Sequence, residues 1–157
     1  MPRHEPWNAE RAGEIIARLR HLEGATLPIL HALQETFGCV PEAAVPLIAE
    51  ALNLSRAEIY GTVTFYHDFR EEPAGRRVLK LCRAESCQAA GGDALAARAE
   101  KLLGVKMGET TTDRRVTLEP VYCLGLCHSS PAAILDKNVH GMLDEARLDA
   151  LVKEAQS

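Results

Sequence analysis

Four of the five cysteines in this chain form two close pairs, and those pairs constrain the fold more than any other feature. Cys82 and Cys87 are separated by four residues, Cys123 and Cys127 by three, and 35 residues lie between the pairs. Each pair follows a short β-like run: Val78 to Leu81 leads into Cys82, and Val121-Tyr122 leads into Cys123. A stiff strand aims the first thiol, and the loop behind it folds round to bring the second. The opening residues, Met1-Pro2-Arg3-His4-Glu5-Pro6, contain no apolar stretch of a secretory signal, so a cytoplasmic location is expected. A reducing compartment disfavours a disulfide framework, which directs clustered cysteines toward metal or redox chemistry.

Spacing ranks the chemistries without closing the choice. Structural zinc favours pairs with two intervening residues, and neither pair has that form. A [2Fe-2S] cluster spreads four thiolates over two irons and tolerates wider spacings, including four intervening residues. Iron–sulfur therefore leads, with zinc in an interaction module behind it, and thiol redox work or buried free thiols last. A dithiol oxidoreductase lacks its C-x-x-C motif here. Cys123-Leu124-Gly125-Leu126-Cys127-His128 has one residue too many for haem attachment and leaves Cys82 and Cys87 without a role.

The two halves of the chain differ in charge and in period. Residues 1–75 carry net −5 and residues 76–157 net +1, with a break near Pro73-Ala74-Gly75. The first half, 1–73, predicts four short helices packed as a small bundle. Ile15, Ile16, Leu19 and Leu22 share a face behind a capping Asn8, with Gly24 as the stop. A second helix begins near Thr26-Leu27-Pro28 and ends at Gly38, and a third runs from Pro41 to Asn53, starting near or kinked at Pro46. The fourth opens on Ser55-Arg56-Ala57-Glu58, a capping box flanked by Leu54 and Ile59 as a hydrophobic staple.

The second half, 76–157, alternates short strands with helices. Strands are expected at Val78–Leu81 and Val116–Leu118, with a hairpin of Ala132–Leu135 and Val139–Met142 around Asp136-Lys137-Asn138. Helices are expected from about Asp93 to Leu103 and from about Asp144, with Leu148, Leu151, Val152 and Ala155 on one face. The order β-α-β-β-α predicts an α/β domain with the core order of a thioredoxin-like fold. Aromatics make up only 4% of the chain, so both cores must be built from Leu, Ala, Val and Ile. No apolar run is long enough to span a membrane, and net −4 offers nothing to nucleic acid.

Leu81-Cys82-Arg83-Ala84-Glu85-Ser86-Cys87 and Pro120-Val121-Tyr122-Cys123-Leu124-Gly125-Leu126-Cys127, followed by Ser130-Pro131, resemble the 24 kDa-type subunit of NADH dehydrogenases. Phe37-Gly38-Cys39-Val40-Pro41 and Tyr60-Gly61-Thr62-Val63-Thr64-Phe65-Tyr66 extend the resemblance over about residues 10–150. Within that family, Cys-Arg-Ala-Glu-Ser-Cys-Gln looks most like the gamma subunit of soluble NAD-dependent, molybdenum-containing formate dehydrogenases. The resemblance implies a thioredoxin-like [2Fe-2S] domain behind an N-terminal helical extension, with Cys82, Cys87, Cys123 and Cys127 as cluster ligands. It also implies docking on a flavoprotein subunit that carries FMN and the NAD site, with the molybdenum cofactor on a larger subunit. Respiratory NADH dehydrogenase and a bidirectional NAD-linked hydrogenase are the alternative parents. Cys39 stands where the family usually has an aromatic residue, and it reads as a small buried hydrophobe.

The remaining candidates are weaker. His128 could replace a thiolate or make reduction proton-coupled, but four cysteines already suffice, so it reads as a loop residue. Arg76, Arg77, Lys80 and Arg83 read as a solvated strand edge, with partner docking or compensation of cluster charge as functional alternatives. An oxidised cluster with four thiolates carries a charge of about −2 and a reduced one about −3, so nearby cations favour the reduced form. Gly91-Gly92 fits no phosphate-loop motif. Gly125 is read as letting the second loop wrap closely, and Pro131 as a candidate cis proline.

Overall fold

In the computed structural model, which describes residues 4–157, the chain divides into one unit up to Pro73 and another from Ala74 onward. The first unit is helical: α1 (Ala9–Leu19), α2 (Thr26–Phe37), α3 (Ala44–Leu52) and α4 (Arg56–Phe65). The Asn8 side chain accepts from the Arg11 N–H and caps α1. That helix stops at Arg20 rather than at Gly24, and Leu22 lies beyond it, 40% exposed. Ala12, Ile15 and Ile16 already fill the buried face, so a further turn would add no buried apolar surface. Gly38, with φ +80°, closes α2 as a left-handed cap. Pro46 is the third residue of α3, in the first turn, where a backbone N–H has no helical partner to lose.

At α4 both halves of the capping box are present. Ser55 Oγ accepts from the Glu58 N–H, and Glu58 Oε2 accepts from the Ser55 N–H. Ile59 is fully buried, whereas Leu54 remains 39% exposed. The unit closes on a core of Ile15, Ile29, Leu30, Leu33, Ile48 and Ile59, all fully or almost fully buried. Gln34 ties the segment after α4 to α2, donating to Asp68 O at 2.6 Å and accepting from the Arg70 N–H at 2.7 Å.

The second unit is a four-stranded sheet in the order β2-β1-β3-β4, built from β1 (Arg77–Cys82), β2 (Val116–Val121), β3 (Ala133–Leu135) and β4 (Asn138–His140). β1 and β2 are parallel, while β3 runs antiparallel to both β1 and β4. Between β1 and β2 the chain passes through the short α5 (Glu85–Ala89) and then α6 (Gly92–Leu103), which supply the long connection that parallel strands need. α7 (Glu145–Gln156) follows the hairpin, capped by Asp144 on the Arg147 N–H. Leu79, Leu81, Leu118 and Leu135 from the sheet pack with Ala99, Leu148 and Val152 from α6 and α7.

Two details differ from the sequence reading. The hairpin turn is only Asp136-Lys137, and β4 ends at His140. Met142, at φ +52°, turns its N–H onto Ser129 O instead of extending the strand. β1 is also central in the sheet and not an edge, which removes the edge role of its basic run. Arg77 pairs with Asp136 at 3.3 Å, Lys80 with Glu119 at 3.4 Å and Arg83 with Asp93 at 2.9 Å. Among the described residues no helix is long and apolar enough to cross a membrane.

Candidate metal centre

Cys82 ends β1 directly opposite Val121 of β2, so Cys82 and Cys123 leave the sheet at the same end of two adjacent parallel strands. That adjacency brings together cysteines that are far apart in the chain. Cys82 N–H donates to Ala132 O at 3.0 Å and Arg83 N–H to Val121 O at 2.8 Å, which fixes the root of the first loop on both sides. The single turn of α5 then carries Cys87 inward until it is 3% exposed. Gly92 makes this possible: a Cβ there would lie 2.6 Å from the Cys87 carbonyl oxygen. Of the glycine pair that fits no phosphate loop, Gly92 thus serves close packing behind a thiol, while a Cβ at Gly91 would meet no neighbour and its φ is +93°.

The second loop is more exposed and more strained. Cys123 adopts φ +84°, a region that costs a residue with a Cβ about 1–3 kcal/mol. Gly125 follows at φ +75° and donates its N–H to Cys123 Sγ at 3.3 Å. No atom crowds a Cβ at Gly125, so the glycine is required by its backbone angle rather than by close approach. A 3₁₀ turn over Cys127–Ser129 brings Cys127 Sγ to 3.6 Å from Cys123 Sγ. The Ser130-Pro131 peptide is cis.

Two hydroxyl groups join the loops. Ser86 Oγ and Ser130 Oγ lie 2.9 Å apart, and each is within hydrogen-bonding distance of Cys127 O, at 3.0 and 2.8 Å. Ser130 Oγ is also 3.5 Å from Cys87 Sγ. Sequence reasoning singles out neither serine, although each sits next to a landmark: Ser86 precedes Cys87, and Ser130 precedes the cis proline. Ala132 is buried against Cys82 and Cys87, with Leu124 and Leu126 partly buried beside them.

Electrostatics distinguish the thiols. Burial pushes the Cys82 thiol up, but N–H bonds from Ala84, Cys123 and Leu124, with the Cys87 side chain, outweigh it and leave Cys82 below the ordinary range. Cys127 is pushed up, chiefly by its hydrogen bond and charge interaction with Cys123. Bringing thiols this close without a cation to share is unfavourable once they ionise. Among the described residues, no three His, Cys, Asp or Glu side chains converge as a single ion requires. The thiols instead form a buried pair, Cys82 and Cys87, and an exposed pair, Cys123 and Cys127. Two pairs with backbone N–H donors aimed at sulfur suit a dinuclear cluster better than tetrahedral zinc, which needs all four sulfurs around one centre.

His128 is exposed in the 3₁₀ turn. Cys39 lies in the helical unit, 5% exposed, its thiol pushed up by burial and then by Glu72. Arg83 is the cation nearest the first ligand loop in sequence. Its Nη2 pairs with Asp93, while its Nε is buried and has no hydrogen-bond partner among the described residues.

A helix-covered sheet that presents two thiol pairs from adjacent parallel strands defines an iron–sulfur electron carrier. The chain belongs to the thioredoxin-like [2Fe-2S] ferredoxin family, whose profile matches residues 12–156. Its cofactor is one [2Fe-2S] cluster, and it is an electron-transfer subunit of the NADH dehydrogenase type. It is 39% identical over 137 residues to an NADH-quinone oxidoreductase subunit of Rhizobium meliloti (strain 1021), covering 87% of this chain and 82% of the relative. Against the corresponding NADH-quinone oxidoreductase subunit of Escherichia coli (strain K12), identity is 33% over 129 residues, covering 82% and 78%. The crystal structure of an NAD+-reducing [NiFe]-hydrogenase in the air-oxidized state matches with a TM-score of 0.73 and 29% identity. That match covers 88% of this chain but 24% of the hydrogenase chain.

Proposed function

We propose that Cys82, Cys87, Cys123 and Cys127 would hold the cluster, the buried pair and the exposed pair each supplying two thiolates. The observation that carries this is the parallel pairing of β1 with β2, which gathers both pairs at one sheet end. When bound, the cluster supplies one-electron redox chemistry. The chain's own residues orient the thiolates, donate N–H bonds to sulfur from the loop backbone and shield the inner pair from water.

The parent complex follows from the resemblance of the first ligand loop, Cys82-Arg83-Ala84-Glu85-Ser86-Cys87-Gln88. We assign the chain as the gamma subunit of a cytoplasmic NAD-dependent, molybdenum-containing formate dehydrogenase. In that assignment, residues 76–157 carry the cluster and residues 1–73 dock on a flavoprotein subunit holding FMN and the NAD site. Formate is oxidised at molybdenum on a larger subunit, and NAD is reduced at the flavin. Relatives named as NADH-quinone oxidoreductase subunits and an NAD+-reducing hydrogenase support an NAD-linked complex and keep those two parents as alternatives.

Purification of the tagged chain with its partners tests the assignment. Two irons per chain, visible absorbance, a paramagnetic signal on reduction and a co-purifying molybdenum subunit are expected. A colourless chain with one zinc and no iron overturns the cluster. A quinone-reducing or nickel-bearing partner moves the chain to the corresponding alternative.

A further inference from the structure

Three of the chain's seven Phe, Trp and Tyr residues are exposed on or just beyond one ten-residue helix: Tyr60 at 52%, Phe65 at 72% and Tyr66 at 44%. α4 buries only Ile59 and Val63, so this helix does little for the core relative to what it shows to solvent. Aromatic residues in such positions are enriched in protein interfaces. Tyr60 also forms a wall common to two adjoining cavities between α3, α4 and the segment after α4, of about 520 and 400 Å³. The first is floored by Val45, Pro46 and Ala57. The second runs from Val40 and Val63 to the carboxylates of Glu71 and Glu72, with Glu42 bordering both.

The charge of this groove is uneven. Arg56 sits at one end and Glu71 and Glu72 at the other, with Glu42 between them. Among the described residues, no ion pair engages any of these three carboxylates, and the half of the chain that bears them is net −5. An apolar trough with an acidic end is complementary to an amphipathic segment that inserts an apolar side chain and places a cation beside it.

We propose that the groove between α3 and α4 is the docking site for a basic amphipathic segment of a partner subunit, seated with an apolar side chain against Tyr60, Val45 and Pro46 and a Lys or Arg at Glu71 and Glu72. This rests on the reading of the chain as a subunit of a larger electron-transfer complex, and it names the chemistry that one face of that partner must have.

The test uses the full chain in the complex purified with its partners. Tyr60 is replaced by p-benzoylphenylalanine, and the cross-linked peptide is identified by mass spectrometry after irradiation. The expected product is a partner peptide with a Lys or Arg within about one helical turn of the linked residue. In parallel, Glu71→Lys with Glu72→Lys lowers recovery of that partner about tenfold, and reversing the partner's basic residue to Glu restores it. Iron per chain and helical circular dichroism stay at wild-type values, and Glu23→Lys, off the groove, leaves recovery unchanged. A cross-link confined to a second copy of this chain or to an acidic segment overturns the proposal. So does undiminished recovery of the partner by the charge-reversed chain, while the wild type's recovery of it leaves the functional reading standing. If the wild-type chain recovers no other subunit at all, both readings fall.

Discussion

Ser130 Oγ stands 3.5 Å from Cys87 Sγ and 2.9 Å from Ser86 Oγ, so the thiol that α5 buries meets a hydroxyl pair drawn from two loops. Each hydroxyl has one proton. With Cys87 ionised, a chain from the Ser86 O–H to Ser130 and from the Ser130 O–H to sulfur satisfies both groups. Removing the terminal donor withdraws a hydrogen bond that is stronger when the sulfur carries more charge. Ser130→Ala should therefore lower the reduction potential by about 20–60 mV, taking 59 mV per tenfold for one electron. A redox titration followed by visible absorbance measures this, and an unchanged potential with full iron content would remove Ser130 from the tuning of the site.

Arg83 and Asp93 should shift the potential in opposite directions. Arg83 follows Cys82 in the chain, and a cation on this loop favours the more negative reduced state, while Asp93 at 2.9 Å from its Nη2 offsets part of it. Arg83→Gln is expected to lower the potential by about 20–40 mV and Asp93→Asn to raise it by a smaller amount. Shifts of the same sign in both variants would point to loop rearrangement instead.

Gly92→Ala places a methyl group 2.6 Å from the Cys87 carbonyl oxygen. Overpacking of this kind costs about 1–3 kcal/mol, and here it falls on the backbone that carries a buried thiol. Lower iron per chain and an earlier urea midpoint are expected together. Gly125→Ala meets no crowding and should cost about 1–2 kcal/mol through its positive φ alone.

Removal of the cluster by a chelator under anaerobic, reducing conditions should expose the thiols in a fixed order. A short iodoacetamide pulse labels Cys123 first and Cys127 next, since Cys123 pushes the Cys127 thiol up. Cys82 and Cys87 react later because they are buried, and Cys39 reacts last, its thiol pushed up within the helical core. Peptide mapping gives the order. Early labelling of Cys39 would contradict its role as a buried apolar residue.

Within the helical unit, Ser55→Ala should lower stability by about 1 kcal/mol. The Ser55 N–H and then its hydroxyl hold the Glu58 carboxyl below the usual glutamate range. Because the folded value is the lower one, the stability it confers is fully present above the unfolded glutamate value. It is lost as pH falls through the folded value. The deficit of Ser55→Ala should therefore narrow in the acidic range, where the hydroxyl's share of the carboxylate bond is gone, and keep the part due to the lost Glu58 N–H bond to Ser55 Oγ.

Local chemistry was the legible part of this sequence. Asn8, Gly38, Ser55 and Asp144 mark helix ends because their hydrogen bonds and backbone angles involve residues within a few positions. The alternation around Val78 and Val116 located β1 and β2, and the cysteine spacing located both loops. What stayed hidden depends on who lies beside whom. Four basic residues within eight positions look like an edge until β2 and β3 are seen on either side of them. Ser86 and Ser130 are 44 residues apart, and Gly92 gains its purpose only from the Cys87 carbonyl folded against it. Leu22 continued the periodicity of α1 but had no core to enter.

The parallel pairing of β1 with β2 also sets a timetable for biosynthesis. Cys82 and Cys87 emerge from the ribosome well before Cys123 and Cys127, and the two pairs face one another only after α5 and α6 have carried the chain back alongside β1. Ser130, which touches Cys87, and Ala132, whose carbonyl pins Cys82, arrive later still. On the ligand set proposed above, a scaffold protein delivering iron and sulfide to the nascent chain would find only the first of the two thiol pairs. On that set, a truncated product ending before β2 keeps Cys82 and Cys87 but lacks both thiols of the second pair.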